Sequence, residues 1–353
     1  MPIHFFSGEE LWVLWMLSGF EISEYSPLDM LDRLISGKMT NKNILRICKE
    51  LYKSKCLIYV EGIGYDVNPP LLPMLYIISQ PEDMVIFTST RELNNAKVIF
   101  MRRSRTIVQH IPTLDYNVHV ITYPWNKKLI ATWLSEEVDS RVPEPIEIGT
   151  SRFTLNPIEA IMLIAIQQVF RKKLMKKRKK LLISKKEVSN AVSSGSLISL
   201  PLFVRSEPFR KLLIELADRP DIIDDALSSL EYKGVISLEN NYINFTDDVK
   251  SGLDVRNMVD YGIAYYRSIN GDFERGMSIS YQKDRVSLVK MNGDRNIELI
   301  VTDTSGATRL IMEDIFMPML RGVKERKALY CPNCGEEVDL DSVYCPYCGH
   351  KLK

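Results

Sequence analysis

The sequence predicts an α+β protein. It consists of two repeated units, each with winged-helix-like helices, an antiparallel four-stranded meander and a closing helix, followed by a small zinc ribbon. Three observations carry this. A shift of 179 positions lays Met30 on Phe209, Leu34 on Leu213, Ile44 on Ile223 and Leu51 on Leu230. The same shift lays Asn117-Val118-His119-Val120-Ile121 on Asn296-Ile297-Glu298-Leu299-Ile300, so the apolar pattern recurs where identity does not. Within each copy, helical spacing gives way to alternating segments separated by short polar turns. The chain then ends in two Cys-x-x-Cys pairs.

The 353 residues exceed one ordinary core and predict units at 1–148 and 149–325, with a ribbon at 326–353. A hydrophobic content of 45 % with 26 % charged residues is that of a soluble globular protein. Met1-Pro2-Ile3-His4 shows no basic region leading into an apolar run, so no signal peptide is expected. The longest apolar run, Ile158 to Ile166, is too short to span a bilayer. Four of six cysteines fall between Cys331 and Lys353, which fits metal binding in a reducing cytoplasm better than disulfides.

In chain order, Leu11, Leu14 and Trp15 share a helical face, and Ser7 with Glu10 forms a capping box ahead of it. A second helix spans Pro27 to Ser36. A third starts at Thr40-Asn41 and carries Ile44, Ile47, Cys48 and Leu51. Cys56–Val60 and Gly64–Val67 form a hairpin, and Asn68-Pro69-Pro70 opens a short helix. Strands follow at Met84–Thr88, Lys97–Arg102, Thr106–Ile111 and Asn117–Thr122, then a helix from Asn126 to about Val138. Arg141-Val142-Pro143-Glu144-Pro145 is the linker, because closely spaced prolines stop helix and sheet alike.

The second unit opens at Thr154-Leu155-Asn156-Pro157, with Pro157 just inside a helix start. An insertion near 171–207 precedes helices at Pro208–Ala217 and Asp221–Tyr232 and a hairpin turning at Glu239-Asn240-Asn241. A helix near Val249–Val259, strands at Ile263–Ser268, Gly276–Gln282, Arg285–Met291 and Asn296–Thr302, and a helix from Thr308 to Leu320 complete it.

The sharpest chemical motif is Cys331-Pro332-Asn333-Cys334 with Cys345-Pro346-Tyr347-Cys348. Two pairs of thiolates match tetrahedral Zn²⁺, and four protein ligands leave no open position, so the zinc is expected to be structural. So short a fragment has no core of its own and needs the metal to fold. Glu336, Glu337, Asp339 and Asp341 disfavour phosphate, so a protein contact through Tyr330, Tyr344 or Tyr347 is the expectation for the ribbon.

Arg171, Lys172, Lys173, Lys176, Lys177, Arg178, Lys179, Lys180, Lys185 and Lys186 occur without an intervening acid. The formal net charge is only +1, so the rest of the molecule is acidic. An acidic protein, nucleic acid and an anionic membrane surface are open as partners, beside a solvated helix extension. Lys42, Arg46, Lys49 and Lys53 on the third helix would suit a DNA backbone. The matching helix of the second unit carries Asp221, Asp224, Asp225 and Glu231, which would repel it.

Catalytic constellations are weak. His4, His110, His119 and His350 show no metal or triad spacing, and His119 reads as a tolerated sheet residue. Gly62-Ile63-Gly64 lacks the residues of a phosphate loop. Cys48, Cys56, Trp12, Trp15 and Trp133 read as packing residues, and Asp303 as a turn residue.

The succession Leu51 to Leu57, Tyr65-Asp66-Val67-Asn68-Pro69, helix, meander resembles the EspG family, cytosolic chaperones of type VII secretion. The likeness runs from Phe6 to about Met319 and implies a quasi-twofold fold and paired helical secreted proteins as clients. The basic insertion and the ribbon depart from that pattern. The expected function is therefore a non-enzymatic cytosolic protein-binding adaptor, in its sharper form a chaperone of type VII-like secretion substrates. The alternative is a winged-helix nucleic-acid-binding transcriptional regulator carrying a zinc ribbon.

Overall fold

The computed structural model describes residues 2–23, 26–89, 97–113, 117–142, 144–175, 182–193, 212, 215–216, 219–246, 259–267, 272–281, 284–292, 296–321, 329–334, 337–338, 343–345 and 347–352. The chain opens with strand β1 (Ile3–Ser7), which runs directly into helix α1 (Gly8–Ser18). Ser7 Oγ accepts the Glu10 amide at 3.1 Å and Glu10 Oε2 accepts the Ser7 amide at 2.7 Å, closing the expected capping box. Helices α2 (Pro27–Ile35) and α3 (Asn41–Lys53) follow, capped by Ser26 and Thr40. A hairpin of β2 (Leu57–Val60) and β3 (Gly64–Val67) leads to α4 (Leu72–Ser79).

The first meander is β4 (Asp83–Ser89), β5 (Lys97–Arg103), β6 (Thr106–Pro112) and β7 (Val118–Trp125), closed by α5 (Lys127–Asp139). Then come β8 (Ser151–Leu155), α6 (Pro157–Met175), β9 (Ile183–Ser184), α7 (Lys185–Ser193) and α8 (Pro220–Tyr232). The hairpin β10 (Ile236–Glu239) and β11 (Tyr242–Phe245) is followed by the second meander: β12 (Val259–Arg267), β13 (Asp272–Tyr281), β14 (Val286–Asn292) and β15 (Asn296–Thr302). One continuous helix covers α9 (Thr304–Ile311), a π turn at Met312–Phe316 and α10 (Met317–Arg321). The π turn lies just before Pro318, which has no amide to offer the α-helical ladder. The ribbon strands are β16 (Leu329–Tyr330) and β17 (Glu337–Val338).

Both meanders join one ten-stranded sheet of order β1-β7-β6-β5-β4-β12-β13-β14-β15-β8. Read outward from the central β4–β12 pair, the two halves have the same order, and every neighbouring pair is antiparallel. The 179-residue shift carries Asn41–Lys53 onto Pro220–Tyr232 and Leu57–Val60 onto Ile236–Glu239. Each half of this sheet contains five strands, one beyond the expected four-stranded meander. The additional ones, β1 and β8, pair with the last strand of their own meander. The insertion contributes β9, which pairs with β11 to make a three-stranded β10-β11-β9 sheet, and α7, which buries Val188, Ala191 and Val192. The helix expected near Val249–Val259 lies outside the described residues, save Val259 itself, which opens β12. Most of the one near Pro208–Ala217 lies outside them too.

Three apolar layers follow from the alternation of the strands. On one face α5, α9 and α10 cover the middle of the sheet, where Phe87, Phe100, Trp133 and Phe316 stack. On the opposite face, α1 to α4 sit on Met84, Met101, Ile121 and Tyr123. In the second half α6, α7 and α8 gather on Val289, Ile297 and Leu299. His110 and His119 are diagonal neighbours on β6 and β7, buried and stacked, with Nε2 of His110 2.9 Å from Nδ1 of His119. Burial, and then the neighbouring imidazole, lower the His110 pKa to about 3. His119 is thus stacked on a second buried imidazole rather than an isolated sheet residue. No helix among the described residues is long and apolar enough to cross a membrane.

Candidate metal centre

Each Cys-x-x-Cys pair occupies the turn of a small hairpin. Cys331 and Cys334 lie between β16 and β17, where Leu329 pairs with Val338 and Tyr330 with Glu337. Cys345 and Cys348 lie between Tyr344 and Lys351, which form a bridge, and the Cys345 amide donates to the His350 carbonyl at 2.8 Å. Gly349 takes φ +73°, a left-handed conformation that lets the chain turn back after Cys348.

The four Sγ atoms lie within 4.8 Å of one another. Cys331 and Cys348 are 3.6 Å apart and Cys334 and Cys345 3.5 Å, far beyond disulfide length. Zn–S bonds near 2.3 Å in a tetrahedron place sulfurs about 3.8 Å apart, so the donor set fits that ion with little movement. Among the described residues, the surrounding apolar cluster comprises Cys331, Val338 and Cys345 with Cys348 and Leu352 against it.

The sulfurs differ electrostatically. Burial pushes the Cys345 thiol up to about 12. Burial also acts against ionisation at Cys348, but hydrogen bonds from Asn333, the His350 amide, Cys334 and Cys331 outweigh it and bring that thiol down to about 6.

The ribbon follows the second half in sequence but rests on the first half in space. A Cβ added at Gly349 would stand 2.0 Å from the Pro69 carbonyl carbon and 2.4 Å from the Pro70 nitrogen, so only glycine permits this approach. The Tyr344 ring meets Phe20 edge-on at 6.1 Å, and Phe20 stacks obliquely on Tyr76 of α4 at 5.1 Å. Tyr123 donates its hydroxyl to the Pro70 carbonyl at 2.5 Å. Its phenol is held well above the usual value by burial and then by the charges of Cys345 and Cys348. Tyr344 therefore faces this chain's own α1–α4 layer, whereas Tyr347 is exposed. The turn role of Gly349 is legible from its place after the cysteine pair, whereas Phe20 and Tyr123 carry no such signal.

The basic stretch divides. Arg171, Lys172 and Lys173 belong to the end of α6, with Lys172 exposed. Lys173 donates to Glu187 Oε2 at 2.6 Å and to the Leu182 carbonyl. Lys176, Lys177, Arg178, Lys179 and Lys180 lie outside the described residues. Lys185 and Lys186 start α7, where Lys185 meets Asp224 of α8 at 3.0 Å and Lys186 is exposed. On α3, Arg46 is engaged by Glu50 at 3.1 Å and Glu9 at 3.5 Å, while Lys42, Lys49 and Lys53 are exposed.

The family model of a zinc-ribbon domain matches residues 330–352. Among solved structures, the chain is similar to the type VII secretion system chaperone EspG5 of Mycobacterium tuberculosis, determined in complex with a PE25-PPE41 dimer. That protein carries the name of the family the sequence resembles. Identity is 10 %, the similarity covers 89 % of this chain and 97 % of that one, and the TM-score is 0.46. Comparison with curated protein sequences gives no match.

Proposed function

We propose that this protein is a non-enzymatic, cytosolic protein-binding adaptor whose open sheet edge receives an extended segment of a client. One observation carries the reading. Strand β1 ends the ten-stranded sheet and turns Ile3 (57 % exposed) and Phe5 (69 % exposed) outward, beside exposed Val118 of β7. These side chains lie on the face that α5 covers further in. An apolar edge strand is a template for strand addition, and soluble proteins ordinarily mask such edges. The opposite edge, β8, is masked in that way: Arg152 is exposed there and Lys233 donates to the Thr154 carbonyl at 2.8 Å. In its sharper form, resting on the EspG resemblance, the client is a helical secretion substrate whose flanking segment pairs with β1.

The scaffold is read as a duplication with domains at 1–148 and 149–325, supported by the common strand order and the 179-residue offset. The ribbon, 326–353, is read as a structural zinc site ligated by Cys331, Cys334, Cys345 and Cys348, supported by the donor geometry. Phe5→Asp in the full-length protein tests the function. Wild-type protein is expected to retain a partner from native lysate that the variant loses while its circular dichroism stays the same. Equal retention by both, or retention of nothing by either, sinks the proposal.

A second reading has one observation of its own. In the second half, α6, β9, α7, α8 and the β10–β11 hairpin follow each other, and pair, as in a winged helix, the frame of many DNA-binding regulators. The helix that would enter the groove is α8, and its Asp221, Asp224, Asp225 and Glu231 set its charge against a phosphate backbone. The frame therefore supports a protein contact more readily than a duplex. Duplex binding at low salt that is lost on charge reversal at Lys42 and Arg46 would reverse this ranking.

A further inference from the structure

We propose that the ribbon is a metal-dependent clasp on the first half of the fold: loaded, it seats on Phe20, Pro69–Pro70 and Tyr123; emptied, it lets go. The proposal rests on the zinc reading above and adds a consequence for residues remote from the cysteines in sequence.

The ribbon's seat is specific. Gly349 lies against the Pro69–Pro70 backbone at a distance no side chain allows, and Tyr344 meets Phe20 from the same knuckle. Pro69 and Pro70 lead into α4, where the Leu72 amide donates to the Pro69 carbonyl, and Tyr123 ties Pro70 to β7. Phe20 follows the end of α1 and touches Tyr76 of α4. The knuckle's contacts, at Phe20 and at Pro69–Pro70, thus border α1 and α4, and Tyr123 connects Pro70 onward to β7. Both Gly349 and Tyr344 flank the Cys345–Cys348 pair, so their relative placement depends on that turn. With an apolar cluster as small as that around Cys331, Val338 and Cys345, the turn keeps its shape only while a cation joins the sulfurs. The docking face and the metal site are one object, and removing the ion removes the face.

Amide hydrogen exchange on the purified full chain tests this, with zinc content measured on the same sample. Chelation under reducing conditions is expected to speed exchange in 330–352 and also in 19–23 and 71–76. The increase in the last two should be on the order of tenfold, as for one lost aromatic contact and a loosened helix start. Exchange in β13 to β15 should stay as before. If only 330–352 responds, the clasp is wrong and the zinc site stands. If the chain holds no zinc and chelation changes nothing, both fall. Tyr344→Ala keeps all four cysteines and separates docking from metal binding. Full zinc content with faster exchange at 19–23 and 71–76 supports the clasp, and full zinc content with wild-type protection there overturns it.

Discussion

A carboxylate inside the apolar run from Ile158 to Ile166 would be a liability without partners, yet Glu159 is fully buried. It reaches back to the Asn156 amide at 2.7 Å while Asn156 Oδ1 accepts the Glu159 amide at 2.9 Å, so it completes a capping box on α6. Ser229 donates to its other oxygen, Oε1, at 2.5 Å, and Lys233 pairs with Oε2 at 2.6 Å. The box stands 149 positions beyond Ser7 and Glu10 on α1. Burial works to raise the Glu159 pKa, but Lys233, Ser229 and the Asn156 amide outweigh it and the net shift is downward. Lys233→Met is therefore expected to cost about 2–3 kcal/mol at neutral pH by leaving a buried carboxylate half satisfied. A carboxyl with a depressed folded pKa stabilises above its unfolded value near 4.3, and that contribution disappears as pH falls through the folded value. Urea titrations of wild type and variant should accordingly differ at pH 7 and converge at acid pH. A constant gap across that range would show that the ion pair is not the source.

At the scale of elements, what the sequence betrays depends on how local the signal is. The caps at Ser7, Thr40 and Asn126 and the hairpin at Asn240-Asn241 are written in adjacent residues, and the structure places each there. Strands β1 and β8 escaped notice because each abuts a helix whose cap dominates the local pattern. Their partners lie on β7 and β15, far away in sequence. Lys173 and Lys185 read as part of a basic arm, because the acids that receive them, Glu187 of α7 and Asp224 of α8, belong to other helices. The four metal-ligand candidates were legible from spacing alone, while the surface on which their knuckle rests was not, since nothing in the sequence at Phe20, Pro69 or Tyr123 marks a docking surface. The β10–β11 hairpin provides an element-scale test. Asn240 and Asn241 have φ +49° and +67°, as a two-residue type I′ turn requires, and the Asn241 carbonyl accepts the Lys185 amide at 3.1 Å. Asn241→Val is expected to lose about 1–2 kcal/mol, because a β-branched residue resists the left-handed region, whereas Asn241→Gly should hold or gain stability. Equal unfolding midpoints for the two variants would contradict the turn assignment.

The two meanders form one sheet because β4 and β12 pair along their length, so the coupling of the two halves concentrates at that seam. Asp83 of β4 is buried there; it accepts Arg102 Nε of β5 at 2.8 Å and the Tyr265 hydroxyl of β12 at 2.9 Å. Arg102 also reaches Glu82 at 3.3 Å and the Ser104 carbonyl, which satisfies the guanidinium on several sides. Tyr265 is thus a polar side-chain link across the seam, and Arg102 orients the shared carboxylate. Replacing a buried ion pair wholesale can be neutral, but removing one partner strands a charge. Arg102→Met is expected to destabilise by about 3–5 kcal/mol, and the loss should fall on the joint rather than evenly across both halves. Calorimetry distinguishes the cases. The wild type should unfold in one transition as far as the sheet is concerned, and the variant should separate into two, because each half keeps its own helical layer and five strands. A variant that melts earlier but still in a single transition would place the coupling elsewhere, in the shared α5–α9 layer that packs on the same side of the strands.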